Sequence, residues 1–177
     1  IFASPLRVML FRLVQRLFYR RWIGMQQLLR EVGERLSTTL QFETIAPLLT
    51  QELPTRLRIT QAALLLRQDE GSFATAAGSA ARFPGDTPLV AQVQGSDVPL
   101  VVGQARYLTG VFAELSSAGW EVALPLRSGG QLVGFYFLGP RQSGDLYTPQ
   151  EVESLRTLGR QVAATLENTR LYSQVEH

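Results

Sequence analysis

Few side chains in this chain of 177 residues could do chemistry. It has no cysteine and a single histidine, His177, which excludes disulfides, thiol nucleophiles, multi-histidine metal sites and an internal histidine-based triad. All 17 basic residues are Arg, and this excludes a Walker-type phosphate loop or a Schiff base, both of which need Lys. We therefore predict no catalytic residue, no metal site and no cofactor in this chain.

Two carboxylates stand close together at a predicted helix start. Glu151 and Glu153 follow Thr148 and Pro149, and a Thr three residues before a Glu, with Pro in the first helical position, is typical of a capping box. These acids then complement the helix dipole rather than perform acid–base catalysis. The pattern predicts a final helix from Pro149 to about residue 172.

The remaining hydrophobic pattern predicts the elements that would position a binding site. A Gly-Gly pair at 129–130 between two apolar runs is a hairpin signal. Hairpins with a closing helix predict an antiparallel sheet covered by helices, an α+β architecture. The predicted helices are 41–58 (with a late start, a kink or an early stop at its prolines), 88–93 and 105–118. The predicted strands are 61–67, 73–77, 99–102, 120–127 and 131–138.

The N-terminal segment differs in charge from the rest. Residues 1–30 hold six Arg and no acid, whereas the remaining chain holds eleven Arg and fifteen acids. Arg clustered next to a membrane span is typical of the cytoplasmic side. We expect residues 1–3 to lie near the end of a removed transmembrane helix, and residues 1–24 to form a basic juxtamembrane signalling helix. An ordinary exposed basic helix is the alternative, and no nucleic-acid contact is expected.

A heptad frame runs along the same helix. Apolar residues recur at spacings of four and three, which is typical of a coiled-coil seam. The alternative is one amphipathic helix packed on its own domain, and Gly24 and Gly33 weaken the helix prediction. We predict a homodimer whose interface contains Phe18, Trp22, Met25, Leu29, Val32 and Leu36.

Several of these segments resemble the GAF domain family. ALPL at 123–126, LVGFYFL at 132–138 and YTPQE at 147–151 are similar to GAF sequences, and the resemblance covers about residues 25–177, which we take as the domain. LFYRR at 17–21 resembles the segment that links membrane spans to GAF domains in some bacterial sensor histidine kinases.

The resemblance implies a GAF-like central antiparallel sheet with the first and last helices on one face and a small-molecule pocket on the other. It also implies parallel dimers that relay motion through the terminal helices. The lack of Cys, of Lys and of a pocket His excludes attached bilins, iron–sulfur ligation, methionine-sulfoxide-reductase chemistry, haem binding and the complete cyclic-nucleotide motif. The ligand is then a non-covalent small molecule, or there is none.

Three residues are predicted to line the pocket. Strand alternation puts Glu121 on the face of Ala123, where an acid could bind a cation or pair with Arg106. Phe83 and Tyr107 are predicted apolar walls. The structural alternatives are a loop-core residue for Phe83, a surface aromatic for Tyr107 and an edge-strand charge for Glu121.

The sequence, with the resemblance, thus implies a cytoplasmic sensory and relay domain of a bacterial signalling protein of a two-component system, a membrane-bound histidine kinase at the inner membrane, with or without a small-molecule ligand. The alternative is a soluble small-molecule-binding regulatory module without membrane attachment. A hydrolase on a related scaffold lacks a nucleophile–base pair.

Overall fold

The fold is α+β, as the sequence predicts. The computed structural model describes the backbone of residues 4–38, 41–108 and 110–175, and the side chains of 5–16, 24–38, 41–108 and 110–168. The described helices are α1 Ser4–Thr38, α2 Phe42–Pro47, α3 Leu53–Leu57, α4 Pro88–Val93, α5 Val111–Ser117 and α6 Pro149–Val175. The described strands are β1 Ala62–Arg67, β2 Phe73–Gly78, β3 Arg82–Phe83, β4 Leu100–Val101, β5 Val122–Ser128 and β6 Gln131–Leu138.

The strands among the described residues form one antiparallel sheet of six, in the order β3-β2-β1-β6-β5-β4. β1 lies inside the sheet between β2 and β6, which explains its apolar residues on both faces. In the registers, Leu64 pairs with Ala77 on one side and with Tyr136 on the other. Gly129 and Gly130 have φ of 56° and 80°, so the predicted β5–β6 hairpin is closed by a turn that needs positive φ at both central residues.

α1 and α6 pack side by side on one face of this sheet. Glycine lets α6 approach closely, since a Cβ at Gly159 would lie 2.8 Å from Leu124 Cδ2. The hydroxyl of Tyr136 extends the same core by donating to the carbonyl of Leu49. Buried residues of this core include Met25, Leu29, Val32 and Leu36 of α1, Val122, Leu124 and Leu126 of β5, and Leu155, Leu158, Val162 and Leu166 of α6.

This core corrects the predicted dimer interface. Met25, Leu29, Val32 and Leu36 are buried within their own chain, where α6 and the sheet cover them. A coiled-coil seam and a core-facing stripe both repeat every three to four residues, so the heptad spacing could not separate the two. The side chains of Phe18 and Trp22, the other two predicted interface residues, lie outside the described residues.

Two helices differ from their predictions. The predicted helix at 105–118 is helical only from Val111, because Gly110 has φ 55° and lies outside helical geometry. Leu108, which precedes this glycine, is exposed. The predicted helix at 41–58 is helical throughout most of its length, but a π-helical turn at Leu48–Glu52 separates α2 from α3. That interruption falls between the two prolines where a kink was predicted.

Candidate functional site

The second face of the sheet carries an aromatic core. Phe73, Phe135, Phe137 and Trp120 are buried there. Phe137 contacts Trp120 at 5.4 Å and Phe135 at 5.5 Å between ring centroids, and Phe73 meets Phe135 edge-on at 5.1 Å. Edge and tilted ring pairs of this kind are favourable. Side chains therefore fill the space directly against the sheet, and any ligand must bind further out.

An open cleft lies over this core, between α4 and the segment that leads into α5. Its volume is about 440 Å³, within the range of roughly 300–1,000 Å³ usual for small-molecule sites. Its walls combine apolar surface with three polar side chains, and we take it as the candidate site. The lining residues are Pro88, Gln92, Arg106, Tyr107, Gly110, Val111 and Phe112.

The described lining of the cleft is positively charged, because Arg106 is its one charged side chain. Arg106 is exposed, so its guanidinium can turn toward a ligand. A guanidinium suits carboxylate or phosphate groups, because it presents several N–H donors in a fixed plane. Phe112 and Tyr107 offer ring faces for an apolar or planar body. These side chains are chemically suited to an anionic molecule, and the described lining residues include no nucleophile–base pair.

Of the three predicted pocket residues, the structure brings one to the cleft. Tyr107 lines it and is 72% exposed. Phe83 is half-buried and packs edge-on against Phe137 at 5.3 Å, so it belongs to the aromatic core beneath.

Glu121 lies elsewhere. Its Oε1 accepts a hydrogen bond of 2.8 Å from the backbone N–H of Gly103, which makes it a link to the turn after β4. The predicted alternation fails at this point, because β5 begins only at Val122; Trp120 joins Ala123 in the aromatic core rather than Val122. Glu121 is therefore not among the lining residues of this cleft, and its role as a ligand-binding acid stays a prediction.

Sequence reasoning missed Gln92 and Phe112 as cleft residues. They lie on α4 and α5, two short helices separated by β4, and no motif joins them. Thr87 stands at the N-cap position of α4, but its side chain makes no capping hydrogen bond, and its Oγ1 is buried without a hydrogen-bond partner. This orphaned hydroxyl adjoins Pro88 of the cleft wall, and an unsatisfied buried polar atom costs about 1–3 kcal/mol.

An ion-paired loop connects the cleft region to α6. Asp97, in the loop after α4, accepts hydrogen bonds from Arg156 Nε at 3.1 Å and Arg160 Nε at 2.7 Å. These hydrogen bonds from Arg156 and Arg160 lower the pKa of Asp97 from 3.8 to about 2. The loop that follows one wall of the cleft is therefore fixed to the middle of α6.

A buried ion pair connects the start of α6 to α1. Arg141 and Glu151 lie 2.7 Å apart with both side chains 8% exposed. Arg141 also lies over the ring of Tyr147 at 5.0 Å and reaches Met25 Sδ at 3.7 Å. Glu151 closes the predicted capping box with Thr148, through hydrogen bonds of 3.0 and 3.2 Å.

Tyr147 is held between these groups. Its hydroxyl donates to the carbonyl of Gly139 at 2.9 Å, and burial raises the pKa of the phenol well above its usual value. The phenol is therefore neutral at any physiological pH, and the loop between β6 and α6 is fixed by an uncharged donor beside the ion pair.

Among the described residues, neither a second groove nor a group of metal ligands gives a second candidate site. A groove of about 620 Å³ between α1 and α2–α3 contains Arg35 and Arg56, but these pair with Glu52 and Glu31. Within the part of the chain that the structure describes, no three His, Asp or Glu side chains come together as metal ligands. In the same residues no helix is long and apolar enough to cross a bilayer.

Comparison with protein families identifies the class of the chain. The model of the GAF domain family matches residues 25–167. The chain therefore belongs to the GAF domain family, whose members are regulatory modules. The comparison with curated proteins gives no match.

Solved structures show the same fold at low sequence identity. The GAF domain from a phosphoenolpyruvate-protein phosphotransferase of Coxiella burnetii is 16% identical with a TM-score of 0.67, covering 86% of this chain and 98% of that one. Free methionine-R-sulfoxide reductase from Neisseria meningitidis is 14% identical with a TM-score of 0.67, covering 85% and 93%. The phycoerythrobilin-bound GAF domain from a cyanobacterial phytochrome is 15% identical with a TM-score of 0.62, covering 85% and 98%. At these identities the likeness concerns the fold.

Proposed function

We propose that this GAF domain is a sensory and relay unit that binds a small anionic molecule in the α4–α5 cleft and passes its binding state to α6. The observation that carries the proposal is the path from the cleft to α6. Asp97 ties the loop after α4 to Arg156 and Arg160 of that helix. A ligand that moves α4 changes the environment of an ion pair on α6, and this gives two states with different helix contacts.

The arrangement of the terminal helices supports a relay along their length. Met25 of α1 lies near the start of α6, through Arg141 and Glu151, whereas the carbonyl of Leu36 accepts from Thr165 further along α6 at 3.4 Å. α1 and α6 therefore run parallel, and motion that enters at the N-terminus of α1 leaves at the opposite end, at the C-terminus of α6. Rotation or sliding of such paired helices is a known form of switching transition.

The proposal also includes the parent protein and the oligomeric state. The Arg-rich segment at 1–30 supports attachment next to a membrane on its cytoplasmic side, and a bacterial histidine kinase of the inner membrane is the parent protein we propose. The relay requires a homodimer. Because the four described seam residues are buried in their own chain, its interface uses other surfaces of α1 and α6.

Native mass spectrometry of the freshly purified full chain tests this function. We expect a dimer mass with an additional small molecule on each chain. Arg106→Gln removes the cation of the cleft, so it loses the added mass, whereas Arg67→Gln, the same change at an exposed Arg outside the cleft, keeps it. A monomer mass with no added small molecule contradicts both the homodimer and the bound ligand. Added mass that is retained in Arg106→Gln contradicts the cleft as the binding site.

A further inference from the structure

The N-terminal part of α1, residues 5–16, carries apolar side chains that no described residue covers. Every side chain in this segment is exposed, including Phe11 at 64% and Met9 at 72%. Soluble monomers rarely expose a continuous apolar patch of this kind, and when they do it marks an interaction surface. The exposed large apolar residues of the segment are Leu6, Val8, Met9, Leu10, Phe11, Leu13 and Val14.

The leucines of this segment form a ridge, which we define as Leu6, Leu10 and Leu13. At about 100° per residue they fall within an arc of about 60°. They lie roughly 80° around the helix from Met25 and Val32, which face the sheet. The centre of the leucine ridge is therefore turned away from the centre of the buried stripe, whereas Leu10 lies at the same helical angle as Leu28 at the edge of that stripe.

Arginine flanks the leucine ridge on both sides. On the same helical geometry Arg7 lies about 100° to one side of Leu6, and Arg16 and Arg12 lie about 80° and 120° to the other. All three are exposed, and residues 1–30 contain no acid. A ridge of leucine with cations along both edges is the pattern of a helix that lies in a membrane interface, where long Arg side chains reach outward to headgroups.

A second copy of the chain fits this surface less well. The spacing of four and three would make the leucine ridge a coiled-coil seam, with Arg7 and Arg16 at the flanking positions that face the partner helix. In a parallel pair the flanking positions gain stability from opposite charges, but residues 1–30 contain Arg and no acid, so no ion pair between two such helices can form there. The charge of the segment calls for an anionic partner.

We propose that residues 5–16 bind an anionic lipid surface, with the leucine ridge in the acyl boundary and Arg7, Arg12 and Arg16 on the lipid phosphates. Apolar burial and cation–headgroup attraction are each weak alone, and stable attachment takes both. The inference depends on the exposed surface of α1. It holds or fails independently of the ligand in the cleft and of the relay through α6.

Co-sedimentation of the full chain with lipid vesicles tests the proposal. We expect binding to vesicles of phosphatidylcholine and phosphatidylglycerol at 3:1, a marked loss of binding when salt is raised, and little binding to phosphatidylcholine alone. Arg12→Gln/Arg16→Gln should weaken binding at least tenfold. The control Arg67→Gln/Arg82→Gln removes the same charge from exposed positions elsewhere and should bind as the unchanged chain does.

A second variant tests the contribution of the leucine ridge to vesicle binding. Leu10→Gln/Leu13→Gln keeps every Arg and changes only exposed side chains, so the domain stays folded, which circular dichroism checks, while vesicle binding is lost. Absence of binding to the 3:1 vesicles, equal binding to both vesicle types, or equal loss in the Arg67/Arg82 control overturns the proposal. A dimer that dissociates in the leucine variant without any vesicle binding shows that a second copy covers the ridge, and this also overturns it.

Discussion

Arg141 and Glu151 form an ion pair that folding removes from water. Each side chain is 8% exposed, so both charges lose most of their hydration, and only their mutual attraction and added hydrogen bonds offset that cost. Glu151 gains such a bond from the backbone N–H of Thr148. Nε of Arg141 is buried with no hydrogen-bond partner. The pair is therefore sensitive to the loss of either member.

Glu151→Gln isolates the charge of this pair. Gln retains an acceptor for the capping box, but it leaves the Arg141 guanidinium buried without its counter-ion. We expect the free energy of unfolding to fall by about 3 kcal/mol or more, measured by urea denaturation at pH 7. Glu70→Gln is the control, because its ion pair with Arg82 is exposed to solvent and its loss should lower the free energy of unfolding far less than the loss of the buried pair does. Equal losses in the two variants would contradict a special role for burial.

Individual site residues were only partly predictable. Tyr107 lies at the cleft, a position that fits an aromatic side chain with a polar group, and its role in binding stays a prediction. Glu121 was misplaced, because a period of two was extended two residues beyond the true start of β5 at Val122. Gln92 and Phe112 meet through tertiary packing, and no local pattern in the sequence records that proximity.

At the scale of elements, Asp97 fastens one loop to one helix. Its pKa in the fold is about 2, lowered from 3.8 by hydrogen bonds from Arg156 and Arg160. A carboxyl whose pKa is lower in the folded state contributes stability above its unfolded pKa and loses it as the pH falls through the folded value. The contribution is thus complete above about pH 4 and disappears toward about pH 2.

Asp97→Asn tests this contact through its pH dependence. At pH 7 the variant should be less stable by about 1 kcal/mol, the range of partly exposed ion pairs. The difference from the unchanged chain should stay constant down to about pH 4 and then shrink at pH 3. Thermal unfolding at these three pH values measures it. Asp86→Asn, at an exposed loop position, should change stability by less than about 0.5 kcal/mol; a difference that is independent of pH would contradict the ion-pair origin.

Elements with strong local signals were predicted well. The β5–β6 hairpin and the start of α6 depend on Gly129, Gly130, Thr148 and Glu151, whose backbone preferences act within a few residues. The start of α5 was predicted six residues early, because the apolar spacing continues before Gly110. The positive φ of that glycine depends on tertiary packing, and the apolar periodicity of the sequence does not reveal it.

At the scale of the whole molecule, α1 has two environments. Residues 24–38 contribute the buried stripe on the sheet, whereas residues 5–16 contact nothing that buries them. An isolated helix of fewer than about 12–15 residues is only marginally stable in water. The two parts of one helix therefore differ greatly in local stability.

Hydrogen exchange of the full chain should resolve this difference. Without lipid, amides at 5–16 should exchange orders of magnitude faster than those at 25–36, with α6 residues 152–166 as the protected reference. Anionic vesicles should slow the exchange at 5–16 and leave the other two regions unchanged. Equal protection along the whole of α1 in the absence of lipid would contradict the stability difference.

The architecture of the molecule was predicted as a class, because alternation, hairpin turns and helix caps all indicated a sheet with helices on one face. The choice between a seam and a core was not predictable, since Leu29 and Val32 satisfy both patterns. Which surface covers them depends on the position of α6, about 130 residues further along the chain.

α1 continues without a break from Ser4 to Thr38, so the number of residues between its exposed and buried parts sets a rotational phase. One inserted residue would turn the leucine ridge by about 100° relative to the sheet, toward or away from the domain body. Seven inserted residues would restore its orientation to within about 20° and displace it by about two helical turns. The number of residues in α1 therefore sets the orientation of the domain relative to any surface that binds residues 5–16.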